Sequence, residues 1–128
     1  MRLLLDTHIA LWAIADDPRL SDLARSLIDD PDNAVMVSAA TVWEISIKHA
    51  LARGNMLISG EEALGYFRSA EFGLLDITPA HAAAVETLPP LHGDPFDRIL
   101  VAQAMTEPLR LLTRDAQVAA YGGMVLIV

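Results

Sequence analysis

The sequence predicts an α/β fold in which three layers, helix on sheet on helix, are built around a mostly parallel sheet. Two observations carry this. Short apolar runs alternate along the chain with longer segments of helical period, the order that right-handed crossovers turn into parallel strands. The runs themselves, AVMV, LRLL and MVLIV among them, are almost wholly apolar, as strands covered on both faces must be.

Each element has a local reason. Arg2 to Leu5 reads as a buried strand, and Thr7 to Ala15 as a helix stopped by Asp16-Asp17-Pro18. Ser21 is a helix cap, and Leu23, Leu27 and Ile28 share one face of the helix it opens, which runs to about Asp30. Pro31-Asp32-Asn33 is turn chemistry before a second buried strand, Ala34 to Ser38. The spacing predicts a helix over Ala40 to Arg53, closed by Gly54 and Asn55 in the left-handed conformation. A helix over Glu61 to Phe72, a strand over Leu74 to Ile77 and a helix over Pro79 to Leu88, with proline in its first turn, come next. The loop Pro89-Pro90-Leu91-His92-Gly93 leads into a helix over Pro95 to Met105. Leu109 to Leu112 and Met124 to Val128 are the last strands, the second of them an expected sheet edge, with a short helix over Ala116 to Ala120 between. Trp12 and Trp43 stand in helices among apolar neighbours and read as core packing.

No repeat, low-complexity tract or linker divides the 128 residues, so a single domain over 1–128 is expected. The chain has no cysteine, which excludes thiol redox chemistry, iron–sulfur clusters and cysteine-rich zinc sites and favours a reducing compartment. No apolar run approaches the roughly 18 residues of a membrane helix. Met1-Arg2-Leu3-Leu4-Leu5 begins like a signal peptide but meets Asp6 and His8 at once, so it reads as the first structural element of a cytoplasmic protein. The formal net charge of -8 speaks against nucleic acid, whose partners normally carry a basic patch.

In open α/β sheets, ligands bind outside the carboxyl ends of the strands. Asp6 follows the first strand directly, and Asp115 follows the Leu109–Leu112 strand after Thr113 and Arg114. Glu44 lies in the first turns of the helix after the second strand, and Asp97 in the first turn after the proline loop. Helix side chains lean toward the N-terminus, so both point back to the same rim. Two like charges 4 Å apart repel by about 4 kcal/mol at an effective dielectric of about 20, so such a cluster needs a counter-ion or raised pKa values. A hard divalent cation, Mg²⁺ or Mn²⁺, suits an all-carboxylate site, and no H-E-x-x-H or zinc spacing joins His8, His49, His81 and His92. Taken singly, each acid also has a structural account: Asp6 and Asp115 as helix caps, Glu44 as the i,i+4 partner of Lys48, Asp94 and Asp97 as helix-end charges near Arg98. The convergence of four acids on one rim favours the metal.

The surrounding strings are more specific. Leu5-Asp6-Thr7-His8, Ser38-Ala39-Ala40-Thr41-Val42-Trp43-Glu44-Ile45, His92-Gly93-Asp94-Pro95-Phe96-Asp97-Arg98 running into Ala102-Gln103-Ala104, and Leu112-Thr113-Arg114-Asp115 occur in that order. In this order the chain resembles the PIN-domain ribonucleases, and among them the VapC-type toxins of toxin–antitoxin pairs, over essentially its whole length. The resemblance implies a PIN-like fold and an endoribonuclease that depends on Mg²⁺ or Mn²⁺ and leaves 5′-phosphate and 3′-hydroxyl ends. It also implies a cognate antitoxin partner and a homodimer, which the abundance of Leu, Ile and Met supports. Carried over by motif, Asp6 and Asp97 are the principal metal ligands, with Glu44 and Asp115 completing the acidic pocket or holding a second ion through water. Thr7, Ser38 and Thr113 are short hydroxyls that either orient the acids or cap backbone, and capping is favoured for Ser38. Asp94 is a further ligand or an anchor for Arg98, the anchor being favoured. Arg98 and Arg114 flank the acids, where they grip phosphate or pair with carboxylates. His92 either contacts substrate or is simply an exposed loop residue, and exposure is favoured.

Setting aside Asp6, Glu44, Asp94, Asp97 and Asp115 leaves 12 acids against 9 bases. Much of the negative charge therefore belongs to the proposed site, where metal would supply the charge that phosphate meets first. Two other classes compete. A phosphoryl-signalling receiver domain shares the size, acidity and Mg²⁺ pocket but needs paired acids at the end of the first strand and a lysine near the last. Here Asp6 stands alone there, and Lys48 is the only lysine. The second is a non-catalytic interaction domain whose acids serve solubility.

Overall fold

In β1 (Arg2–Leu5) alternate side chains face opposite ways. Leu3 and Leu5 join Ile9, Ala10, Val37 and Phe67 on one side of the sheet, while Leu4 joins Leu100, Val101, Ala104 and Leu111 on the other. All three leucines are fully buried, and each contributes about 2 kcal/mol by leaving water. The computed structural model describes residues 1–52 and 56–128. Its sheet places β1 between β2 (Ala34–Ser38) and β4 (Arg110–Thr113), with β3 (Gly73–Leu75) and β5 (Val125–Ile127) outside them in the order β3-β2-β1-β4-β5. Every neighbouring pair is parallel, so the sheet is parallel throughout its described length, and β5 is an edge.

Helices cover both faces. α1 (Thr7–Ala15), α2 (Asp22–Asp29) and α4 (Gly60–Ser69) lie on the Leu3 and Leu5 side, and α6 (Pro95–Thr106) and α7 (Ala116–Ala119) on the Leu4 side together with the stretch after α5 (Pro79–Ala84). α3 (Ala39–Ala50) serves both cores, with Ala40 in one and Ile45 in the other. Serine and threonine open the helices as their caps should. Ser21 accepts the Ala24 amide, and Ser59 with Glu62 and Thr78 with His81 form reciprocal capping boxes.

Several boundaries move. The helix expected over Ala40 to Arg53 ends at Ala50, and Ala52 takes the left-handed conformation (φ 52°) while its amide donates to the His49 carbonyl. The expected closure by Gly54 and Asn55 lies outside the described residues. The expected strand Leu74 to Ile77 is instead Gly73–Leu75, because its partner β2 ends where Ser38 meets Leu75. The helix expected over Pro79 to Leu88 becomes 3₁₀ over Val85–Thr87. The second tryptophan is not core: Trp43 is 58% exposed and packs edge-on against Phe96, ring centres 5.1 Å apart. Among the described residues no helix is long and apolar enough to cross a membrane.

The strand order fixes where a site belongs. From β1 the chain winds outward through β2 to β3, and from β4 it winds the other way to β5. The connections therefore diverge between β1 and β4, leaving a crevice outside their carboxyl ends.

Candidate active site

Asp6 stands at that crevice. Its amide continues the sheet by donating to the Leu112 carbonyl (2.9 Å), and it occupies the cap position of α1. The carboxylate nonetheless makes no cap hydrogen bond to that helix. It accepts the Thr113 hydroxyl instead, Oγ1 to Oδ2 at 2.5 Å, from the end of β4. The capping account of Asp6 thus fails on geometry, and a 7% exposed carboxylate is left facing a cavity. Burial holds its pKa above the ordinary aspartate value, and the neighbouring Glu44 charge pushes the same way against the Thr113 hydrogen bond.

Asp97 comes to the same place from the first turn of α6. Its pKa is raised to about 6, first by burial and then by the Asp6 charge. Asp94 is the cap of that helix and accepts the Phe96 amide (2.8 Å) and the Asp97 amide (3.4 Å). The Pro-rich loop folds back so that His92 Nε2 lies 2.7 Å from Asp97 Oδ2 and 3.7 Å from Asp115 Oδ2. One ligand atom from each of His92, Asp97 and Asp115 lies within 4.8 Å of the other two.

Glu44 is 5% exposed, so it is no surface acid. One oxygen accepts the Thr7 hydroxyl (2.7 Å) and the other the Lys48 ammonium (2.5 Å). The i,i+4 pair therefore exists, but it lies within the site. Burial works to lower the Lys48 pKa, yet the Glu44 hydrogen bond and charge, with Asp94 and Asp97 behind them, hold it above the ordinary lysine value. Asp115 caps α7 by accepting the Gln117 amide (2.8 Å), and its own amide donates to Thr113 Oγ1 (3.0 Å).

Asp6, Glu44, Asp94, Asp97 and Asp115 line one cavity of about 480 Å³, together with His8, Lys48, His92 and a wall made of Trp12, Arg19 and Arg114. The donor set fits a hard divalent cation: five carboxylates share the lining, Lys48 offsets only part of their charge, and two of the acids are pushed toward their neutral forms. Among the described residues the close-set ligand atoms are those of His92, Asp97 and Asp115 and not of Asp6 or Glu44.

The family is settled by sequence. The model of the PIN domain matches residues 3–124. The chain belongs to the PIN domain family. This PIN domain is 31% identical over 121 residues to Ribonuclease VapC22 of Mycobacterium tuberculosis, covering 92% of this chain and 90% of that one. Solved structures share its fold. VapBC2 from Rickettsia felis, bound to a DNA fragment from their promoter, matches with a TM-score of 0.71 at 16% identity, over 100% of this chain and 98% of that one. FitAcB from Neisseria gonorrhoeae matches with a TM-score of 0.61 at 20% identity, over 91% and 89%.

Some residues singled out by sequence stand elsewhere in this PIN domain. Arg98 does not line the cavity and is not anchored by the Asp94 side chain. Its guanidinium donates to the Pro89 carbonyl (3.0 Å), the Tyr121 hydroxyl (3.0 Å) and the Val85 carbonyl (3.3 Å), which ties the proline loop to α6. Ser38 is fully buried and caps α3 by accepting the Ala40 amide (3.0 Å). His92, for which the sequence favours plain exposure over substrate contact, is instead a neighbour of two acids. The only signal available was its place five residues before Asp97, in a Gly- and Pro-rich segment able to double back.

Proposed function

We propose that this PIN domain is a Mg²⁺- or Mn²⁺-dependent endoribonuclease, the toxin of a toxin–antitoxin pair, cleaving RNA phosphodiesters at the cavity between β1 and β4. The observation that carries the proposal is the buried Asp6 carboxylate, which leaves its own helix uncapped and shares the cavity lining with Asp97. Asp6 and Asp97 hold the ion, and Glu44 and Asp115 complete its surroundings, either through water or around a second ion. When bound, the ion lowers the pKa of water for attack on phosphorus and offsets the charge of the leaving oxygen.

The chain's own residues prepare the site. Thr113 fixes the Asp6 carboxylate and Thr7 fixes Glu44, so neither rotates away from the cavity. Lys48 holds the second Glu44 oxygen and offsets part of the acids' charge, and Asp94 orders the helix turn that presents Asp97. His92 leans on Asp97 from the loop side and narrows the space between Asp97 and Asp115.

The likeness to Ribonuclease VapC22 supports the reaction class. The toxin–antitoxin assemblies among the fold neighbours support an antitoxin as partner. A homodimer is consistent with the exposed Trp43, Tyr66 and Leu74. A single domain over 1–128, working in the cytoplasm, completes the proposal.

Asp6→Asn tests it. The variant should melt no lower than the unsubstituted chain in EDTA, because it keeps the acceptor for Thr113 and removes a buried charge, while losing Mn²⁺-dependent RNA cleavage. A variant that still cleaves, or one that does not fold, overturns the assignment. Sequencing the RNA ends that accumulate on expression should find 5′-phosphates.

A further inference from the structure

One wall of the cavity takes no part in holding the acids. The Trp12 indole, on α1, carries the Arg19 guanidinium 5.2 Å and the Arg114 guanidinium 5.4 Å from its ring centre. Two like charges gather on one ring only if other contacts hold them there, and both arginines have such contacts. Asp17 accepts the Arg19 amide (2.9 Å), Nε (3.2 Å) and Nη2 (2.8 Å), and Arg114 Nη1 donates to the Arg19 carbonyl (3.1 Å). The attraction of each guanidinium to the indole face does the rest.

The pairing pattern singles out Arg114. Lys48 is neutralised by Glu44 and Arg19 by Asp17. Arg114 adjoins Asp115 in sequence but turns from it to Trp12, and among the described residues it is the one lysine or arginine of the cavity lining without a carboxylate partner. An exposed guanidinium stacked in place, with free donors beside a cluster of acids, suits a phosphate group, which can accept two parallel hydrogen bonds from it.

We propose that Arg114, with Arg19 beside it and Trp12 as their platform, forms a phosphate-binding subsite that grips the RNA strand next to the scissile phosphodiester. The inference rests on the ribonuclease reading of the acidic wall. It gives an acidic protein one local positive surface where the substrate strand must pass. Arg114 is a binding residue, and Trp12 is a positioning residue that acts through the two guanidinia.

The test is fluorescence anisotropy of a labelled single-stranded RNA on the full chain in EDTA, which stops cleavage, across a range of KCl concentrations. Each phosphate contact contributes about 0.7 to the slope of log affinity against log salt. Arg114→Gln should lower the slope by about that amount. Trp12→Leu should lower it too, and Trp12→Phe, which keeps an aromatic face, should restore it. An unchanged slope in Arg114→Gln, or no binding by the unsubstituted chain at the lowest salt, overturns the subsite. Cleavage of the same RNA in Mn²⁺ by the unsubstituted chain separates the two proposals. Cleavage with an unchanged Arg114→Gln slope removes the subsite and leaves the nuclease standing, whereas a lowered slope without cleavage supports the subsite and removes the nuclease.

Discussion

The Thr113 hydroxyl donates to the Asp6 carboxylate at 2.5 Å, tying the end of β4 to the end of β1 across 107 residues of sequence. The same oxygen accepts the Asp115 amide, so one buried side chain fixes two of the acids. Thr113→Val keeps the shape and removes both interactions. It should cost about 1.5–3 kcal/mol of stability, the usual range for a hydrogen bond to a charged group. It should also weaken Mn²⁺ binding about 10- to 100-fold. Thermal melting and titration calorimetry read the two effects separately, and unchanged Mn²⁺ affinity would remove Thr113 from the site's support.

Asp97 makes stability depend on pH. Its folded pKa of about 6 lies above the ordinary value of 3.8, so its contribution to stability is fully present below about 4 and is lost as pH rises through 6. In EDTA the chain should therefore lose up to about 3 kcal/mol of stability from this group between pH 4 and 7. Asp97→Asn should flatten that part of the profile. Adding Mn²⁺ at neutral pH should raise the melting temperature of the unsubstituted chain, and its affinity should fall as protons compete below pH 6. A melting profile that Asp97→Asn leaves unchanged would contradict the assignment.

Lys48 offsets part of the charge an ion would meet. Lys48→Met keeps the length of the side chain and removes the ammonium that Glu44 holds. Without that charge, the acids should bind Mn²⁺ more tightly, by roughly three- to tenfold for a screened interaction of about 1 kcal/mol. In EDTA the variant should melt lower, because Glu44 is then buried without a partner. Calorimetry showing weaker Mn²⁺ binding would mean that Lys48 supports the ion's site rather than opposing it.

The contact between α3 and α4 depends on a missing side chain. A Cβ on Gly60 would stand 1.7 Å from Ser46 Oγ, 3.0 Å from Ser46 Cβ and 3.1 Å from the Val42 carbonyl. Rotating the Ser46 hydroxyl away relieves only the first clash and breaks its bond to the Val42 carbonyl. Gly60→Ala should therefore cost about 1–3 kcal/mol. Gly65, on the same helix, has open space around the corresponding position, and Gly65→Ala should instead stabilise by about 0.5–1 kcal/mol. Chemical denaturation of the pair gives opposite signs if the packing is as described.

What the sequence could disclose was whatever depends on neighbours along the chain. Alternating apolar runs and cap residues such as Ser21, Ser59 and Thr78 locate the elements, and the acids that follow strands locate the rim. What it could not disclose depends on meetings in space. Glu44 reads as a surface ion pair because Lys48 is one turn away, and only folding shows that α3 buries Glu44 and its Thr7 contact while Lys48 stays partly exposed. Arg98 reads as a neighbour of the acids, but helix geometry points it at the carbonyls of the 85–89 stretch. Trp12 and Trp43 stand in similar local surroundings, yet one is held at a cavity wall under two arginines and the other lies exposed against Phe96. No periodicity separates them.

The order of the strands also governs synthesis. β1 is made well before β4, its partner on one side, because 107 residues separate Asp6 from Thr113. Until then the Leu5 end of β1 has no neighbour there, Asp6 has no Thr113, and Asp115 does not yet exist. A nascent chain short of about residue 115 thus carries Asp6, Glu44 and Asp97 without the strand that joins them, and closing that long loop is a late and slow step. A chain cut short before β4 would therefore be an inert fragment, because the acidic rim is assembled only when that strand takes its place beside β1.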